Sequence, residues 1–251
     1  MRAELGSQRW GEETQGRLTI PQSLLLAARA VPNLAALVRT QIVMRTHLAR
    51  GTGRADLPAL LSLDTALTQA ARHSVQDRHR SASIIAHVYR TACFAFAISA
   101  KDHIDLPRPE LLWCACLLHD IALEQPHAGR CFAVRGGVLA AEIARNAGAS
   151  EGDAQCIGDA VCRHPAPGID PRRHPLAYLV SVSAILDVTG QGLERLDPGF
   201  VSAVNEQYPR DGFRQDLIGL WATESTAVPH GRAHLARCLG FTAAARVSPF
   251  V

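Results

Sequence analysis

Residues 111 to 118, LLWCACLL, carry no charge, and His119 and Asp120 follow at once. A helix made from such a run has no side suited to water and must be covered all round. An imidazole and a carboxylate then stand at the end of a core element. A buried carboxylate is costly unless it is paired or bound to a cation. Other elements must therefore wrap this helix, and some of them must bring partners for His119 and Asp120.

The rest of the chain reads as helices able to do this. Ala and Leu dominate, both strong helix formers, and the 47% of hydrophobic residues is enough for a core. No strand-like alternation exceeds four residues, and no repeat or low-complexity tract interrupts the pattern. The expectation is an all-α protein. Periodicity and punctuation predict one or two helices over 21–48, with Pro32 as a break or second start, and further helices over 57–72 and 81–100. The apolar helix begins after Pro107 and Pro109, and the next, 134–148, ends at Gly148 as a C′ residue. Ser150 then caps a helix to about His164, with Asp153 in the capping-box position. Further helices are expected over 175–188, 198–207, 211–225 and 231–239. Residues 1–17 read as a loose tail and RGTGRAD, 50–56, as a linker, so an N-terminal extension (1–50) precedes a main domain (51–251).

Lys plus Arg is 26 against 23 for Asp plus Glu. That balance argues for neither nucleic acid nor an acidic membrane as partner. No apolar stretch approaches the roughly 20 residues of a membrane helix, and the first residues have no apolar signal core. A soluble, cytoplasmic protein is expected, with a homo-oligomer left open. The seven cysteines include no CxxC pair and read as free thiols, five of them inside apolar patterns.

Polar residues on apolar stripes mark the site. Helical stripes recur at spacings of three and four. Ile84, His87, Thr91, Phe94 and Ile98 form one, Ile157, Val161 and His164 another, and Leu176, Val180, Ser183 and Asp187 a third. His87, His164 and Asp187 therefore point inward with His119 and Asp120. Three imidazoles and two carboxylates aimed at one core suggest a shared cation, and this ligand set suits Zn, Fe or Mn better than Ca. Taken singly, each has a plainer role as a hydrogen-bonded core residue or a cap. Searches for GxGxxG, GxxxxGK[ST], GxSxG and HExxH are negative. Gly136 and Gly137 read as a helix-start turn or close helix contact, Trp113 and Trp221 as core, and Phe132 and Phe213 as core or pocket wall.

The order His87, His119-Asp120, Asp187 resembles the H…HD…D signature of the HD-domain superfamily, metal-dependent hydrolases built on a helical bundle. AHVYRTACFAFAISA resembles the NHSxRTYxF segment of the cyanamide-hydratase-like branch, CFAVRGG its FEVxGA segment and CRHPAPGID its HTSPGI segment. ILDVTGQGLERL and YPRDGF resemble its late motifs, so the likeness spans about 57–225. It implies that His87, His119, Asp120 and Asp187 bind one divalent metal, zinc first, with iron or manganese as alternatives. It also implies that His164 is a pocket group. Val88, Ala133 and Pro165 depart from the branch pattern and reshape the pocket, and the first 50 residues have no counterpart in it.

The function expected is a hydrolase or hydratase (hydro-lyase) in which metal-activated water attacks a small molecule, nitrile or cyanamide hydration first. Asp120 and His164 are the expected catalytic groups. Arg90, three residues after His87, either orients a carboxylate or pairs on the surface, and Phe132 is assigned to the substrate pocket or its backing. Alternatives are a phosphohydrolase acting on a nucleotide or phosphate ester, a di-iron oxygenase drawing further ligands from His164 with His174 or His127, and a metal-free binding module.

Overall fold

The computed structural model describes residues 3–46, 51–106 and 108–250. Met1 and Arg2 of the expected tail, residues 47–50 at the expected linker, and Pro107 lie outside them. Among the described residues there are thirteen α-helices and no strand, as an all-α chain requires. In order they are α1 (Gln8–Thr14), α2 (Ile20–Thr46), α3 (Leu57–Leu61), α4 (Ala66–Arg78), α5 (Ala82–Asp102), α6 (Pro109–Leu118) and α7 (Phe132–Asn146). There follow α8 (Glu151–Arg163), α9 (Pro175–Thr189), α10 (Pro198–Gln207), α11 (Phe213–Ala227), α12 (Arg232–Cys238) and α13 (Phe241–Arg246).

The apolar run is α6, started by Pro109 at its first position. Every residue from Leu112 to Leu118 is buried. The helix is wrapped by α4, α5, α8 and α9, which solves the problem its sequence poses. Helix α5 lies against both α6 and α9. By length and hydropathy α5 would suffice to cross a bilayer, which the sequence reading did not anticipate, yet 67% of its apolar stretch is buried inside the protein. Helices α7 and α8 approach so closely that a methyl group on Gly137 would lie 2.6 Å from the Gly158 carbonyl oxygen. Gly137 is thus a close helix contact. Cys93, Cys114, Cys116, Cys131 and Cys162 are buried free thiols, and burial pushes the Cys93 thiol up to about 12.

Three expectations change. The 57–72 helix is two helices, because Thr65 starts α4 anew with a reciprocal capping box to Thr68. The segment read as a loose tail contains α1, capped by Ser7, whose hydroxyl accepts from the Trp10 N–H at 3.1 Å. Trp10 is only 3% exposed and packs with Leu18, Leu26 and Ala166, and the Gln8 N–H donates to Asp159 at 2.9 Å. Helix α2 runs unbroken through Pro32. A proline forgoes one main-chain bond, and here the helix continues past it.

Helix α2 is fastened near its C-terminal half. Thr40 Oγ donates to Glu194 at 2.7 Å and accepts from the Gly192 N–H at 3.0 Å. Its inner side turns Leu26, Ala30 and Leu37 toward the bundle, while Ile20, Leu24, Val31, Val38 and Ile42 are exposed along the outer side.

Candidate metal centre

Three helices bring four side chains to one buried point. His87 comes from the second turn of α5, His119 and Asp120 directly follow α6, and His164 follows α8. None of the four is more than 6% exposed. Each imidazole is fixed through Nδ1: His119 to the Cys116 carbonyl at 2.6 Å, His164 to the Val161 carbonyl at 2.7 Å, His87 to the Asp187 carboxylate at 2.7 Å. A carbonyl or carboxylate oxygen accepts, so Nδ1 carries the proton in all three rings. A neutral ring anchored in this way has its lone pair at Nε2.

Those lone pairs face one another. His87 Nε2 and His119 Nε2 are 3.2 Å apart. Asp120 Oδ2 lies 3.4 Å from His119 Nε2 and 3.6 Å from His87 Nε2. Two ligands sharing a tetrahedral ion at the usual bond length of about 2.0–2.1 Å stand about 3.3 Å apart. The three atoms thus form one face of a tetrahedral site, and together these residues could hold a metal ion. The other carboxylate oxygen, Asp120 Oδ1, is buried with no hydrogen-bond partner, and His164 Nε2 stands 3.5 Å from it. A buried oxygen left without a donor, beside facing nitrogen lone pairs, fits a cation.

The electrostatics agree. Burial pulls His87 down to about 4, against the pull of Asp187, so the ring is neutral and able to ligate. Burial also lowers His164. At Asp120 burial acts upward, but His119 and His164 hold the carboxyl well below its usual range. His119 moves the other way: burial acts downward, but Asp120, the Cys116 carbonyl and Asp187 together raise it. The cluster favours positive charge at its centre.

Asp187, expected as a fourth ligand, is placed one layer back. Its Oδ1 accepts from Arg90 Nε at 2.8 Å and Arg210 Nη1 at 2.5 Å, and its Oδ2 from Arg90 Nη2 at 2.9 Å and His87 Nδ1. Arg210 also donates to the Asp187 main-chain carbonyl. With both oxygens occupied, the carboxylate backs His87 and fixes its ring, as partners behind metal-binding histidines do. Arg90 is 0% exposed and donates to this carboxylate through Nε and Nη2. Its Nη1 also donates to the Tyr208 and Pro209 carbonyls.

Phe132 packs edge-on against His164 with centroids 5.6 Å apart, so it backs a pocket histidine. Phe213 stacks on His87 at 4.7 Å and lies under the guanidinium groups of Arg90 and Arg210. Sequence reasoning gave no role to Arg210. Its only signal was its place in YPRDGF. His127 sits in a turn bonded to Ala128, and His174 pairs with Glu4. Neither lines the cavity that holds the cluster, so of the ligands sought for a second iron His164 is at the site and His127 and His174 are not.

A family model described as HD domain matches residues 84–188, the span from the start of α5 to the end of α9 that carries every residue of the cluster. Two cyanamide hydratases of Saccharomyces cerevisiae, DDI2 and DDI3, are each 28% identical to this chain over 158 residues. The match takes in 60% of this chain and 69% of each yeast protein. The span that matches the HD model thus supplies the whole cluster, while α1, α2 and the helices after α9 lie outside it.

Proposed function

We propose that this chain is a metal-dependent HD-domain hydratase or hydrolase that adds water to a small molecule, a nitrile or cyanamide-like C≡N group first. The observation that carries the reading is the set of Nδ1-anchored imidazoles aimed at a buried carboxylate with one unpaired oxygen. Similarity to the yeast cyanamide hydratases supports the choice of reaction.

His87, His119 and Asp120 Oδ2 would hold one divalent ion, zinc first with iron or manganese as alternatives. When bound, the ion supplies Lewis acidity and brings a water's pKa towards about 7. The remaining steps belong to the chain. Asp187 and Arg90 fix the His87 ring. Asp120 Oδ1 takes a proton from water as its oxygen bonds to the nitrile carbon. His164 Nε2, 3.5 Å from that oxygen, relays the proton to the nitrogen whose π bond has opened. Transfer of the second proton from oxygen to nitrogen gives the amide, so one water is added and nothing leaves. Positioned proton transfer of this kind contributes about 10²–10⁴-fold.

The test is metal analysis of the full chain after reconstitution with Zn, Fe or Mn, followed by assay of cyanamide, simple nitriles, amides and phosphate esters. One ion per chain with amide formation from a nitrile or cyanamide is expected. Failure to retain any of the three metals, or turnover of phosphate esters alone, would overturn the reading.

A further inference from the structure

The cluster opens into a cavity that its chemistry does not account for. Around it stand Leu26 and Leu37 of α2, Ile185 and Val188 of α9, Trp221 of α11 and Phe241 of α13. Beyond His87, His119, Asp120 and His164, the one charged side chain on the wall is Arg232. Its Nη1 donates to the Cys162 carbonyl at 2.5 Å, and its Nη2 faces the sulfurs of Cys131 and Cys162. Only Nε is without a partner. The guanidinium closes the floor of the cavity and holds it together rather than offering a fork to an anion.

The size decides what such a wall is for. The cavity holds about 170 Å³. An apolar cavity of about 150 Å³ stays dry and accepts benzene. Cyanamide has three non-hydrogen atoms and is polar throughout. It would meet the cluster and leave most of the apolar wall uncovered. Part of that wall comes from α2, which lies outside the HD domain. The segment before residue 51 thus adds apolar surface facing the cluster.

We infer that the molecule taken by this site joins a small polar function, which meets the cluster, to an apolar group of about benzene size, which fills the space under α2. The class is an aryl- or branched-alkyl-substituted nitrile or cyanamide. The polar half of this statement rests on the hydration reading above. The apolar half rests on the cavity alone.

Two measurements with the full chain separate those halves. The first is the kcat/KM of the metal-reconstituted protein for phenylcyanamide and for cyanamide. The second is calorimetric binding of phenylcyanamide to the metal-stripped protein. Burying a benzene-sized group is worth roughly 10- to 100-fold, so phenylcyanamide should exceed cyanamide by about that factor and should bind without metal. Ala30→Phe and Ala236→Phe place a ring in the cavity from two different helices. Each should cut the phenylcyanamide-to-cyanamide ratio and the metal-free affinity at least tenfold, and a folding failure in one leaves the other. Binding that the variants abolish, with no hydration of either compound, would sink the hydration reading and uphold the apolar-group inference. Efficient cyanamide hydration with no preference for the aryl compound, no metal-free binding and no effect of either variant would overturn the inference and leave the hydration reading intact.

Discussion

Asp187→Asn separates the two roles a carboxylate can have behind a histidine. The substitution keeps the shape and removes the charge. Asp187 accepts two bonds from Arg90, one from Arg210 at 2.5 Å and one from His87 at 2.7 Å, all at a site with 0% exposure. An amide has one acceptor oxygen where the carboxylate has two, so one guanidinium contact becomes a donor facing a donor. Removing one member of a buried ion pair costs about 3–5 kcal/mol, a large part of the roughly 5–15 kcal/mol that holds a typical domain folded. Urea unfolding of the metal-free protein, followed by circular dichroism, should show that loss. Metal affinity, measured by competition with a chelator, should fall about 10- to 100-fold and not vanish, the usual result of disturbing a group behind a ligand. Wild-type stability without metal combined with complete loss of metal binding would refute the reasoning. It would put Asp187 in contact with the ion.

Three further outcomes are expected. His164→Gln should lower the hydration rate by about 10²–10⁴-fold with metal stoichiometry unchanged, and loss of the metal would instead make His164 a ligand. Stripping the metal with a chelator should lower Tm by about 5–10 °C, since an ion at a hundred times its Kd stabilises by about 2.7 kcal/mol, and an unchanged Tm in calorimetry would argue against binding to the folded chain. Gly137→Ala should destabilise by about 1–3 kcal/mol in urea titration through overpacking against the Gly158 carbonyl, the reverse of the gain that alanine gives in an open helix, and a neutral result would mean that α7 and α8 separate easily.

The stripe argument found His87, His164 and Asp187 because each falls where its helix turns inward, the uncharged run before His119 and Asp120 found those two, and all five are buried. It could name the face but not the depth. Asp187 lies on the inward face of α9, yet whether its oxygens meet the ion or the back of an imidazole depends on Arg90 and Arg210, and Arg210 comes from the loop between α10 and α11. No periodicity reaches a loop residue. The helical fold was legible from composition and from proline, glycine and cap positions, as at Ser150, whose hydroxyl accepts from the Asp153 N–H. Two readings failed for local reasons. A polar tail with one tryptophan gives little periodic signal, although Trp10 anchors it. Pro32 is a breaker by rule, yet α2 runs through it and is held against the bundle further on at Thr40.

The anchoring of the imidazoles has a consequence for how such a site tolerates change. Two of the three rings, His119 and His164, are oriented by main-chain carbonyls three residues earlier, in the last turns of α6 and α8. No side-chain substitution deletes a carbonyl. The aim of those two ligands therefore survives extensive replacement along both helices, as long as the backbone keeps its course. The vulnerability lies in length. One residue inserted in either helix turns everything after it by about 100° and swings the imidazole out of the cluster. His87 has the opposite exposure: its orientation depends on a carboxylate and two arginines that single substitutions can remove. In this centre, divergence by point change should collect around α6 and α8, and insertions should be confined to the loops between helices.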